Sequence, residues 1–189
     1  DAPTITIANG DSANGQVTEA GIGVANDSAH NTASGHLTGA DIDSPSLTWS
    51  VAAGSGQTGN LDGSVTGAYG TLSVSANGTW TYVLDQSKAD PLNVSDHPQE
   101  SFTVRLSDGQ GGITTQTVVV TVNGTNDAPT ISIANGDSAN GQVTEAGIGV
   151  ANDSAHNTAS GHLTGADIDS SSLTWSVAAG SGQTGNLDG

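Results

Sequence analysis

Cysteine and methionine are absent from these 189 residues, lysine and arginine together number two, and aromatic residues make up only 3%. Without cysteine there is no disulfide framework, no thiolate nucleophile and no thiolate metal ligand. Lys88 and Arg105 stand against 19 acidic residues, for a net charge of −17. Such a surface repels phosphate backbones and anionic lipid heads, which argues against nucleic acid as a partner and against membrane insertion. No run approaches the roughly 18 apolar residues of a membrane-spanning helix, and no signal peptide opens the chain. Cations are the natural counterpart of so much negative charge, and bound divalent ions would relieve its self-repulsion most directly.

What is abundant is Gly, Ser, Thr, Asn, Asp and Ala, with Val, Ile and Leu at most apolar positions and little Lys, Arg or Glu. That balance favours strands and turns over helices. The chain also repeats itself. Asp1-Ala2-Pro3-Thr4 returns as Asp127-Ala128-Pro129-Thr130, and residues 127–189 copy residues 1–63 with two changes, Thr6 to Ser132 and Pro45 to Ser171. A period the length of a whole domain indicates a tandem array, not a solenoid of short units. The reading is a complete domain at 1–126 and the first half of a second, near-identical one at 127–189.

Within the unit, Pro3 to Ala8 alternates apolar and polar residues behind a proline, as an edge strand does, and Gln16 to Glu19 reads as a second short piece of that strand. Residues 20–33 and 53–68 read as loops. Ser34 to Ala40 is a further candidate strand, and Ser46 to Val51 places Leu47, Trp49 and Val51 on one face. Tyr69 to Ser75 and Thr79 to Leu84, joined by Ala76-Asn77-Gly78, form the clearest hairpin, with Trp80, Tyr82 and Leu84 on one side. Residues 85–99 form an acidic connection. Ser101 to Leu106 and Thr114 to Val122 make the last pair. About seven short strands predict an all-β, Greek-key sandwich of two sheets.

Tyr69-Gly70-Thr71-Leu72, Ala76-Asn77-Gly78-Thr79-Trp80-Thr81-Tyr82, Phe102-Thr103-Val104, Ser107-Asp108-Gly109 and Thr121-Val122-Asn123-Gly124-Thr125-Asn126-Asp127-Ala128-Pro129, in this order, closely resemble the VCBS repeat. The resemblance spans essentially the whole 126-residue unit, from Asp1 to its return at Asp127. It implies a cadherin- and immunoglobulin-like module, repeated in large bacterial RTX-type adhesins and biofilm surface proteins. It also implies a non-catalytic extender on the cell surface, with neighbouring repeats as partners and type I secretion as the usual route. Adhesion to carbohydrate or to a host or abiotic surface would fall to other domains.

A more distant similarity is to the calcium-binding pattern of cadherins. Glu19, Asp41-Ile42-Asp43, Asp108 and Asn126-Asp127 match its pieces by type and order, while the Asp-Arg-Glu element has no clear counterpart and Asp96 or Glu100 stands roughly in its place. Calcium takes six to eight oxygens, largely from carboxylates and carbonyls, and Asp-x-Asp on a loop can direct two carboxylates at one ion. The expectation is that Asp41, Asp43 and Asp108 gather at the pole where Asp1 begins. Glu19, with Asp96 or Glu100, is expected to meet Asn126, Asp127, Asp167 and Asp169 at the junction of successive repeats. Solvated turn aspartates are the plain alternative.

Other motifs carry less. Gly54-Ser55-Gly56-Gln57-Thr58-Gly59 fits G-x-G-x-x-G, but no helix-forming stretch follows to make a dinucleotide site. Gly10-Asp11-Ser12 with Asp27 and His30 resembles a hydrolase pairing that requires an α/β scaffold. His30, His36, His97, His156 and His162 lack the spacing of a transition-metal site. Trp49, Trp80 and Tyr82 could stack on sugars, with loops 20–33 and 53–68, and an exposed ring among them or at Tyr69 would favour a carbohydrate-binding module; alternation assigns them to the core. Residues 64–126 occur once, whereas the half that pairs with them occurs twice. A permuted domain 64–189 could therefore compete with 1–126, which the resemblance favours, and unpaired strands of 127–189 invite strand exchange between chains.

Overall fold

A computed structural model describes residues 1–24, 27–53, 63–151 and 157–178. The chain divides into two compact units, Asp1–Asp127 and Ala128–Gly189. In the first, the strands are β1 (Thr4–Thr6), β2 (Asn14–Thr18), β3 (Thr32–His36), β4 (Thr38–Ala40), β5 (Thr48–Ala53), β6 (Ser64–Thr66), β7 (Gly70–Val74), β8 (Thr79–Leu84), β9 (Gln99–Ser107) and β10 (Ile113–Asn123), with one helical turn, α1 (Gln86–Ala89).

One sheet has the order β2-β10-β9-β5 and the other β3-β8-β7-β6, with β1 and β4 as a separate pair. The path from β2 to β3, from β5 to β6 and from β8 to β9 crosses between sheets each time, which gives the Greek-key sandwich that the strand pattern predicts.

Alternation decides what each strand buries. Val118, Val120 and Val122 of β10 and Phe102, Val104 and Leu106 of β9 turn inward from one sheet, and Leu72, Val74, Trp80, Tyr82 and Leu84 from the other. Tyr82 and Phe102 meet across the core with ring centroids 5.9 Å apart at 56°, a tilted arrangement favoured by the ring quadrupoles. The β7–β8 hairpin closes as expected: Gly78 sits at φ +88°, and its N–H donates to the Ser75 carbonyl at 3.0 Å. Only glycine adopts that backbone without strain.

Three parts differ from the sequence reading. β1 and β2 are not pieces of one strand: β1 pairs antiparallel with β4, whereas β2 pairs parallel with β10. Residues 34–40 split at Leu37, which is fully buried and whose N–H donates to the Gly78 carbonyl at 3.0 Å. There the chain leaves the β8 sheet and joins β1. Strand β6 lies within the stretch read as loop, and α1 within the acidic connection.

β10 fixes two poles. Thr114 at its start donates its hydroxyl to the Pro3 carbonyl at 2.5 Å, and Asn123 at its end pairs with Thr18. In the second unit, β11 (Thr130–Ile133) pairs antiparallel with β12 (Leu163–Ala166).

Candidate functional site

At the first pole the Asp41 carboxylate closes an Asx turn, Oδ1 accepting from the N–H groups of Asp43 at 3.0 Å and Ser44 at 3.1 Å. The Ser44 hydroxyl reaches the Asp108 carbonyl at 3.4 Å, which ties this turn to the end of β9. Asp108 is buried, and its Oδ1 accepts from Gln110 N–H at 2.7 Å and Gly112 N–H at 2.9 Å. The chain enters beside this turn, Asp1 N lying 2.9 Å from Asp43 Oδ2. Asp41, Asp43 and Asp108 therefore share one pole, and Asp41 Oδ2 is buried there with no hydrogen-bond partner.

The second pole is built on Glu19, one residue past β2 and only 2% exposed. Its carboxylate accepts from Gly21 N–H, from Thr125 N–H at 2.8 Å, from the Thr125 hydroxyl at 2.7 Å and from Gln86 Nε2 at 3.3 Å. Asp127, equally buried, accepts from Ile22 N–H. Gly21, at φ +70°, runs between the two acids: a Cβ there would lie 3.1 Å from Asp127 Oδ1 and 3.9 Å from Glu19 Oε1. Two carboxylates thus grip one loop and the linker 125–127 together. Burying both charges is tolerable because backbone and side-chain donors solvate them.

Gln86 is the residue that sequence reasoning missed. It opens α1, and its amide nitrogen bridges Glu19 and Asp90, the latter at 3.1 Å. Its Oε1 is buried without a hydrogen-bond partner. The signal available was its place directly after β8, which the β3–β8 pairing carries toward Glu19.

Other expected residues lie apart from this cluster. The Glu100 carboxylate accepts from the Tyr82 hydroxyl and from the N–H groups of Ala68 and Tyr69, so it closes the turn before β7. Burial, and then Glu100, push the Tyr82 phenol far above its usual pKa. Asp96 lies near the exit, its carbonyl accepting from Gly124 N–H at 3.1 Å, but its carboxylate caps Asn93 N–H at 3.0 Å. Asn126 is exposed, and its amide donates to the Asp127 carbonyl at 2.6 Å. In the second unit Asp167 forms the Asx turn of Asp41 again, accepting from Asp169 and Ser170 N–H, both at 3.1 Å. The hydrogen bond between the Asp167 and Asp169 side chains, not the one from the Asp169 backbone, is the first cause that raises the Asp167 pKa.

Among the described residues no three acidic or histidine side chains converge closely enough to hold a metal by themselves. His30 bonds Asp27 at 2.7 Å, His36 the Asn77 carbonyl at 3.0 Å and His97 the Asn123 amide oxygen at 3.0 Å. The Ser12 hydroxyl accepts from Asn14 N–H at 2.8 Å. Trp80 and Tyr82 are fully buried, and Trp49 and Tyr69 are partly so. None of these four rings is exposed as a sugar platform. The glycine motif at 54–59 and His156 lie outside the described residues. No described helix is long and apolar enough to cross a membrane.

A two-sheet sandwich with parallel β2–β10 pairing and acids at both ends defines a cadherin- or immunoglobulin-like module. The bacterial cadherin-like domain family matches residues 1–124, and the chain belongs to that family. Membership suggests a non-catalytic module of an extracellular or surface protein. Among curated proteins none matches. One solved structure that is similar is the N-terminal Ig1-2 module of the Drosophila receptor protein tyrosine phosphatase DLAR, at 15% identity and a TM-score of 0.33. The match covers 70% of this chain and 56% of that one, and at that score it carries no argument.

Proposed function

We infer that the chain is an extender module of a large bacterial surface adhesin, a VCBS-type repeat of the RTX class, stiffened by calcium. The observation that carries this reading is the clasp of Glu19 and Asp127 on the linker 125–127, both carboxylates being buried. A passive string of domains has no need to bury acids at its connecting segment.

Calcium fits the residues present. Gln86 Oε1 and Asp41 Oδ2 are buried oxygens that lack a hydrogen-bond partner, and calcium takes amide as well as carboxylate oxygens. Glu19, Gln86 and Asp127 would hold an ion at the exit. Asp41, Asp43 and Asp108, which do not converge closely enough to hold an ion by themselves, would do so at the opposite pole with backbone carbonyls and water completing the shell. Asp167 and Asp169 are the counterparts of Asp41 and Asp43 in the second copy. The ion supplies charge neutralisation and stiffness, and no chemistry is asked of it. Export by type I secretion and a role in biofilms belong to the same reading.

Thermal unfolding with calcium, with magnesium and with chelator at fixed ionic strength tests it. Calcium at ten to a hundred times Kd stabilises by about 1.4–2.7 kcal/mol per site, so a calcium-specific rise in Tm is expected, reduced in Glu19→Gln. Coincident curves overturn the calcium stiffening and leave a passive spacer.

A further inference from the structure

We propose that the outer face of the β2-β10-β9-β5 sheet binds an acidic sugar chain, with the Arg105 guanidinium taking one of its carboxylates. Phe102, Val104 and Leu106 of β9 turn into the core, so alternation sends Arg105 to the opposite face. It stands there between Ser50 of β5 and Thr115 of β10, its neighbours in register. Ser107, the next outward residue of β9, is flanked in the same way by Thr48 and Ile113.

Lys88 and Arg105 are the only lysine and arginine beside 19 acids, and the two are used differently. Lys88 takes Asp85 at 3.7 Å. Arg105 is only partly exposed, yet its guanidinium makes no ion pair and no hydrogen bond among the described residues. The four strands of this sheet hold a single acid, Glu100, and it is buried against Tyr82 and the turn before β7. A planar fork of donors set on a face without carboxylates is open to an anion from outside, and carboxylate is the group that it matches in two hydrogen bonds.

The same face carries a recess of about 320 Å³, lined by Asn14, Gln16, Gln99 and Thr121 with Gly15 and Val119 at its floor. Its amides and hydroxyls can both donate to and accept from sugar hydroxyls. Gln99 precedes Arg105 by six residues on β9, about 20 Å along a strand, so an extended chain of several sugar rings spans the two. A protein partner fits less well, because the outward strand positions offer no aromatic anchor of the kind that dominates protein interfaces. The net charge of −17 also disfavours a dense polyanion. A chain that spaces its carboxylates among neutral hydroxylated sugars meets less of that repulsion.

The test titrates the whole chain, in chelator so that calcium plays no part, with a hyaluronan hexasaccharide, whose carboxylates fall on every second sugar, and with its methyl ester. NMR shifts are expected at Ser50, Arg105, Thr115, Gln16 and Gln99 with the acid and not with the ester. Arg105→Gln should weaken binding about tenfold or more. Arg105→Lys should keep part of it, having the charge without the fork. Because the parent chain alone shows whether the shifts gather on this face, the test does not depend on the variants. Shifts that are absent at millimolar sugar or lie elsewhere, or binding indifferent to Arg105→Gln, overturn the proposal and leave Arg105 as a stem covering the sheet. Equal shifts from a hexapeptide of aspartate overturn it in favour of a protein carboxylate.

Discussion

Residues 1–63 and 127–189 are one sequence folded twice in different company, with two substitutions between them. With 64–126 as partner, the first copy has strands at 14–18, 32–36 and 48–53; the described residues of the second have none at the matching positions. The pair that survives is β1–β4, again as β11–β12, because both its strands lie inside the copied segment. The Asx turn of Asp41 survives as well at Asp167, since its acceptor and donors are within three residues of each other. Strand formation at β2, β3 and β5 is therefore a property of the partner sheet more than of local propensity. Local hydrogen-bonding motifs, in contrast, need no partner.

The largest expected effect comes from placing one charge at the two valines that differ most. Val51→Asp puts a carboxylate in a fully buried position and should cost about 4 kcal/mol or more, unfolding the first unit. Val177→Asp, on an exposed twin, should change the main thermal transition by less than about 0.5 kcal/mol. Chemical denaturation of both variants against the parent reads the difference. Equal losses would mean that the second copy is as fully packed as the first, and the comparison would fail.

The same contrast explains what was legible in the sequence. The β7–β8 hairpin, with Trp80, Tyr82 and Leu84 inward, was readable because its alternation and its glycine turn are local. The pairing of β2 with β10 was not, since parallel neighbours about a hundred residues apart leave no pattern in either strand. Acids at the two poles were visible as residue types. Their sorting was not: Glu100 turns to Tyr82 and the 68–69 backbone, and Gln86 reaches Glu19, through contacts that only the assembled sheets create. A search for carboxylates alone passes over a glutamine.

Glu19→Gln against Glu145→Gln carries the comparison from packing to the clasp. Glu19 is buried and accepts from Gly21, Thr125 and Gln86, so loss of its charge should destabilise the first unit by about 1–3 kcal/mol in chelator. Glu145 is exposed, and its substitution should be silent within about 0.5 kcal/mol. Urea midpoints measure both. A silent Glu19→Gln would show that the buried acid contributes nothing to holding the linker.

The smallest effect is one of titration, in the acidic turn of the second unit. Asp167 shares its turn with Asp169 and is shifted upward; its contribution is full below the ordinary range and is lost as pH rises through the raised value. Carboxyl carbon shifts followed by NMR should show Asp167 titrating above the ordinary carboxylate range. Calcium, if it occupies the second turn, should pull Asp167 down toward or below the ordinary range, because an adjacent cation favours the charged form. An Asp167 midpoint that calcium leaves in place would mean that this turn holds no ion, even if the clasp at Glu19 does.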